Sequence, residues 1–219
     1  MTGVPIFPTG IIRTYKSPTK FSEEFDPKYF KIEKYDGSNK YRSEKFNNVI
    51  LHESLNGLHD WVKTCIDDYL VNELYMKYEE HFISESWLNV NLKGGNQSIH
   101  SHPNSILSGV YYLKSEEGHP PLEFHKTRPS DQHPFISLSE QYEKIHPNTT
   151  NKIAFPCEQD SMIVFQSQLY HSHAPIQIDE QRISLSWNAL VNFQLPSESD
   201  SKNFYNSYTY RIRFVKEYN

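Results

Sequence analysis

The chain has 219 residues, enough for one domain with an appendage and for burial of roughly 70% of its unfolded surface, so neither disulfides nor a structural metal is required for folding. Apolar residues at 37% and charged residues at 22% are globular values, and 22 Lys plus Arg against 27 Asp plus Glu gives −5 without a basic cluster, which argues against duplex nucleic acid as a partner. No apolar run approaches a membrane span and the N-terminus lacks a basic then apolar leader. The two cysteines, Cys65 and Cys157, lack metal-ligand spacing, so the expected setting is a reducing, cytoplasmic one.

Residues 1–50 are polar and broken by Pro5, Pro8, Pro18 and Pro27, which predicts an irregular arm packed on a core. After Ser54, a candidate N-cap, Leu55, Leu58, Trp61, Val62, Cys65, Ile66, Tyr69, Leu70 and Leu74 recur at spacings of three and four, the stripe of a helix with one covered face. From Trp87 the period becomes two. Leu88, Val90 and Leu92 share one face of a strand and Asn89 and Asn91 the other; further strands are expected at 108–113, 161–165 and 183–190. In the last, Ile183, Leu185, Trp187 and Ala189 form an apolar face, while Arg182, Ser184, Ser186 and Asn188 form a polar row that faces either water or a ligand.

Residues 114–155, rich in Pro, His and Glu, read as a long insertion with a short helix near Ser139–Ile145, and loops of such length often act as lids. Residues 194–219 form a C-terminal extension in which Tyr208–Phe214 alternates like a strand, either adding to a sheet edge or reaching a partner subunit in a homodimer. The expected division is therefore a single domain over 1–219. It comprises an arm and supporting helix (1–83), a β core (84–193) and the extension, and the aromatic content of 14% also favours a mainly β chain with flanking helices.

Chemistry concentrates in two histidine pairs, His100-Ser101-His102 and His171-Ser172-His173. Residues two apart on a strand point the same way, so each pair can aim two imidazoles at one cation. A lone pair of this kind is more often incidental, but two pairs in neighbouring β contexts strengthen each other. Eleven residues after His171 comes Arg182, followed by Ser184 on the same face. A buried guanidinium requires an anionic partner, which a dicarboxylate ligand would supply; an exposed Arg182 would instead make a surface ion pair worth about 0–1 kcal/mol.

The blocks Trp87/Asn89, His100–Ser105, Ser108–Leu113, Phe165–His171 and Arg182–Asn188 together resemble the Fe(II)- and 2-oxoglutarate-dependent oxygenases, and in particular a family of such enzymes from bacteria and phages. The resemblance covers about half the chain, with the Phe7-Pro8 start and the helix after Ser54 fitting it loosely. It implies a double-stranded β-helix (jelly-roll, cupin-like) core; Fe(II) as cofactor; 2-oxoglutarate, dioxygen and an unidentified substrate as partners; and a hydroxylase reaction.

Carried over by residue, the resemblance makes His100 and His171 metal ligands, pairs Arg182 and Ser184 with the far carboxylate of 2-oxoglutarate, and lets Tyr112 hydrogen-bond the cosubstrate if Ser108 and Val110 face inward. His102 stands where the wider superfamily has Asp or Glu. It is the favoured third ligand, with Asn104, Glu123 and Asp179 as alternatives. His173 reads as a residue behind the ligands, on the substrate side or in solvent; Trp87 and Trp187 as packing residues; and His125 and Arg128 as candidates for covering the pocket mouth. Gly94, His100-x-His102 and Gly109 also follow the first cupin motif without its Glu, so the competing expectation is a cupin-type metalloprotein that does not use 2-oxoglutarate.

Overall fold

The structure is a computed structural model that describes residues 10–35, 39–43, 48–126 and 150–193. The Phe7-Pro8 start, Arg128, the expected helix at 139–145 and the whole extension 194–219 lie outside the described residues.

Two antiparallel sheets face each other. The larger runs β1 (Ile12–Lys16), β9 (Ser161–Gln166), β6 (Leu107–Lys114), β11 (Arg182–Phe193), β4 (Tyr78–Asn91), β3 (Lys40–Ser43), β2 (Ile32–Lys34), and the smaller β5 (Gln97–His100), β10 (Tyr170–His173), β7 (Leu122–His125), β8 (Lys152–Phe155). The alternation of β11 determines the layering, since a period of two can bury one apolar face only by placing every other residue opposite. Its Ile183, Leu185, Trp187, Ala189 and Val191 join Leu88, Tyr111 and Val164 in a core to which the short helix α1 (Phe21–Glu24) adds Phe21 and which is covered by the helix α2 (Asn56–Asp68), whose buried face is Leu58, Val62, Cys65 and Ile66. A smaller apolar cluster of Tyr112, Leu122, Phe124, Ile163 and Phe165 lies between the sheets.

Three sequence expectations change. Ser54 does not cap α2: it sits in a 3-10 turn, Glu53–Leu55, where the His52 ring accepts from the Ser54 backbone N–H, and α2 starts at Asn56. The apolar stripe continues past α2 through a π-turn, Tyr69–Glu73, which the Leu74 N–H closes onto the Tyr69 carbonyl at 3.2 Å. The arm supplies three strands to the larger sheet, and the stretch 114–155 contains β7 and ends in β8, both of the smaller one. Strands of three to five residues carry too few alternations to stand out from loop sequence.

Gly109 on β6 lies opposite Trp187 on β11, and a Cβ there would come within 2.2 Å of the indole. Because Trp187 is fully buried, the ring has nowhere to move. Gly109→Ala is expected to destabilise the fold by about 1–3 kcal/mol as overpacking does. Urea denaturation followed by tryptophan fluorescence reads this; an unchanged midpoint would contradict the packing.

Candidate active site

The polar row of β11 faces a cavity of about 280 Å³ between the sheets, lined also by the Asn89 and Asn91 side of β4 and the Ser108, Val110 and Tyr112 side of β6. Of the two orientations open to this row, the structure has the ligand-facing one. Tyr111, by parity, lies in the core beneath.

His100 closes β5 and pairs in register with His171 on β10, across the cavity from β11. His102 follows β5 and is held by its backbone N–H on the Ser167 carbonyl at 2.8 Å. Each Nδ1 has a fixed oxygen partner: His100 with Ser98 O at 2.9 Å, His171 with Leu169 O at 2.9 Å, and His102 with Asn188 Oδ1 at 2.6 Å. Carbonyl oxygens only accept, so each Nδ1 carries the proton and each Nε2 presents a lone pair.

Asn188 is locked in turn. Its Oδ1 accepts from Ser108 Oγ at 2.7 Å and its Nδ2 donates to Glu85 Oε1 at 2.5 Å, which orients the amide with oxygen toward His102. The His100 and His102 Nε2 atoms lie 3.3 Å apart, and one ligand atom from each of His100, His102 and His171 falls within 4.8 Å of the others. Two nitrogens each 2.0–2.1 Å from one metal at a right angle would be about 3 Å apart, so the spacing suits a shared cation. Burial holds the His100 imidazolium pKa down to about 4 and that of His171 to about 3, leaving both rings in the neutral, ligating form at pH 7. Phe165 and Phe124 pack on His171 at 4.8 and 6.0 Å between ring centroids and shield it from water.

At the other end of the cavity Arg182 is 3% exposed. Its Nη1 donates to the Pro120 carbonyl at 2.9 Å and touches Cys157 Sγ at 3.5 Å. Its Nε is enclosed without an acceptor, and no carboxylate pairs with it among the described residues. A buried guanidinium left in this state strongly favours an incoming anion. Ser184 and Tyr112 stand opposite each other in register beside it, both buried. Burial, then the neighbouring Cys157 thiol, push the Tyr112 phenol well above its ordinary pKa against the opposing pull of Arg182, so it stays a neutral donor.

His173 is a buried wall residue, not a solvent-facing one: its Nδ1 bonds to Ala174 O at 2.9 Å, and burial followed by the Arg182 charge lower its pKa to about 3. Of the alternative third ligands, Glu123 pairs with Lys152 at 2.6 Å, Asp179 is exposed and pairs with Lys93 at 2.9 Å, and Asn104 is exposed at the rim. His125 turns to Ser172 Oγ at 2.8 Å on the Glu123 side of β7. Trp187 lies in the main core, and Trp87, also buried, packs at the cavity wall, stacking on His102 at 5.8 Å and 24°.

Sequence reasoning also passed over Glu85, Lys40 and Arg42, all cavity-lining. Glu85 and Trp87 share the parity of Asn89 and Asn91 on β4, which was the available signal. Lys40 and Arg42 lie in what read as irregular arm.

Residues 85–188 match the family model described as "Putative 2OG-Fe(II) oxygenase". No curated protein matches the sequence at a significant level. Among solved structures, a 2OG-Fe(II) oxygenase family oxidoreductase from Burkholderia pseudomallei superposes with TM-score 0.51 at 16% identity, over 74% of this chain and 72% of its own. A Pseudomonas putida prolyl-4-hydroxylase gives 0.52 at 10%, over 84% and 92%. HygX from Streptomyces hygroscopicus, solved with nickel and 2-oxoglutarate, gives 0.52 at 8%, over 81% and 82%. At these identities the likeness speaks to fold, a double-stranded β-helix.

Proposed function

We propose that the chain, which matches the family model through residues 85–188, is a 2OG-Fe(II) oxygenase in which His100, His102 and His171 are the iron ligands and Arg182, Ser184 and Tyr112 receive the far carboxylate of 2-oxoglutarate. As a family member it is an oxygenase that uses Fe(II), 2-oxoglutarate, dioxygen and a further substrate. The finer reading is a hydroxylase whose core spans 84–193. The net charge of −5 supports the absence of duplex nucleic acid, and the free thiols of Cys65 and Cys157 support a reducing, cytoplasmic setting. Among the described residues no helix is long and apolar enough to cross a membrane.

The donor set fits the metal. His100, His102 and His171 each bring one ring nitrogen within 4.8 Å of the others, burial keeps His100 and His171 neutral, and imidazole suits ferrous iron. When bound, the iron with 2-oxoglutarate supplies oxidising chemistry that consumes dioxygen, releases succinate and carbon dioxide, and attacks an unactivated C–H bond. The protein's part is binding and exclusion. Arg182 offers charged donors, Ser184 and Tyr112 add neutral hydroxyls, and Glu85 through Asn188 keeps the His102 ring from turning. Glu85 also leaves a negative charge one residue behind a ligand set that has none of its own.

The observation that carries this reading is the clustering of three imidazoles in the same cavity as a buried guanidinium that has no carboxylate partner among the described residues. Anaerobic addition of Fe(II) and then 2-oxoglutarate is expected to give a weak visible charge-transfer band saturating at one equivalent of each. Iron binding with no response to 2-oxoglutarate would favour the cupin-type alternative instead.

A further inference from the structure

We propose that the corner of the cavity formed by Tyr35, Arg42 and Trp87 binds the carboxylate of a small acidic substrate. The inference rests on the reading above, because it needs Arg182 already committed to 2-oxoglutarate.

The corner adjoins the metal position, since Trp87 stacks on His102. Arg42, on β3, faces Asn89 of β4 in register and thereby joins the row that continues through Ser184 to Tyr112. The guanidinium lies 4.2 Å over the Trp87 ring and 5.4 Å from that of Tyr35. Held face-on by an aromatic ring, a guanidinium directs its N–H groups outward in its own plane, the arrangement that grips a planar carboxylate by two parallel bonds. Its Nε is enclosed with no acceptor, and no carboxylate forms an ion pair with it among the described residues. Burial lowers the Arg42 pKa, opposed by Tyr35, whose phenol is also its hydrogen-bonding neighbour, and by Glu85, which acts on it without forming an ion pair.

Charge counting along the cavity agrees. Among the described lining residues Lys40, Arg42 and Arg182 are cationic and Glu85 alone is a carboxylate, although the chain as a whole is at −5. Lys40 is occupied with Gln97 Oε1 at 2.6 Å. With Arg182 taking the far carboxylate of 2-oxoglutarate, Arg42 is left as the planar cation among the described residues that line the cavity.

The test uses the anaerobic Fe(II)–2-oxoglutarate protein, titrated with acetate, benzoate and indole-3-acetate, each against its own carboxamide, and with phenyl phosphate. Binding is read from perturbation of the visible band and from tryptophan fluorescence. At least one acid is expected to bind saturably, tenfold or more tightly than its amide, with 2-oxoglutarate still in place. Arg42→Gln should erase the difference without altering 2-oxoglutarate affinity, and Arg42→Lys, which keeps charge but not the fork, should retain only part of it. Melting curves and 2-oxoglutarate uptake confirm that both variants fold. Equal or absent binding of acids and amides, tighter binding of phenyl phosphate than of benzoate, displacement of 2-oxoglutarate by the acids, or undiminished discrimination in Arg42→Gln would each overturn the proposal. A missing 2-oxoglutarate band in the unmodified protein overturns both readings; a normal band without acid preference overturns this one alone.

Discussion

Arg182→Ala is expected to weaken 2-oxoglutarate binding by roughly a hundredfold or more while the protein keeps one equivalent of Fe(II). Truncating one side of a buried, hydrogen-bonded charge pair costs about 2–5 kcal/mol, and each 1.4 kcal/mol is a factor of ten in affinity. The iron should stay, because Arg182 touches none of the three imidazoles: its contacts are the Pro120 carbonyl and Cys157. Arg182→Lys should recover only a fraction of the loss, since an ammonium keeps the charge but not the planar fork. Titration of the charge-transfer band measures all three proteins. Undiminished affinity in the alanine variant would remove Arg182 from the cosubstrate site.

His171→Ala is expected to abolish iron retention. Of the three proposed ligands His171 is the most firmly set in the fold, paired with His100 across β10 and β5 and enclosed by Phe124 and Phe165. Asn188→Ala provides the comparison, because it removes a support and no ligand. Loss of a residue that orients a ligand costs about 10–100-fold in metal affinity, and loss of the ligand must cost more. Metal analysis after gel filtration should therefore show no iron in the His171 variant and a substoichiometric amount in the Asn188 variant. Full occupancy in His171→Ala would place the metal elsewhere. If Asn188→Ala loses as much iron as His171→Ala, the His102 ring depends on Asn188 for its position altogether.

The parts of the site legible in the sequence are those governed by strand parity. In β11 the alternation of Ile183, Leu185 and Trp187 with Arg182, Ser184, Ser186 and Asn188 runs long enough to assign both faces, and the same argument brings Tyr112 inward and leaves Tyr111 in the core. What escaped is set by contacts distant along the chain. His102 was expected among the ligands, but it lies beyond β5, where parity says nothing, and the aiming of its ring by Asn188, 86 residues away, is what escaped. Arg42 reaches the cavity only because the four-residue β3 pairs with β4 in a register that no local pattern announces. Trp87 is the packing residue expected, but its place at the cavity wall was not legible, because an aromatic on a strand suits core and cavity equally and only its shared parity with Asn89 separates them.

A single twelve-residue strand, β11, carries both Arg182, the proposed receiver of the cosubstrate, and Asn188, which steadies the proposed ligand His102. Six positions separate Arg182 from Asn188, a span of about 20 Å along an extended backbone. Adding or deleting one residue between them would turn one of the two into the hydrophobic layer, and the smallest adjustment that spares both is a pair of residues, about 6.7 Å. The strand is thus a ruler with coarse graduations. Adaptation to a diacid longer or shorter by one methylene cannot come from sliding the backbone, and must come from exchanging the side chains at its ends.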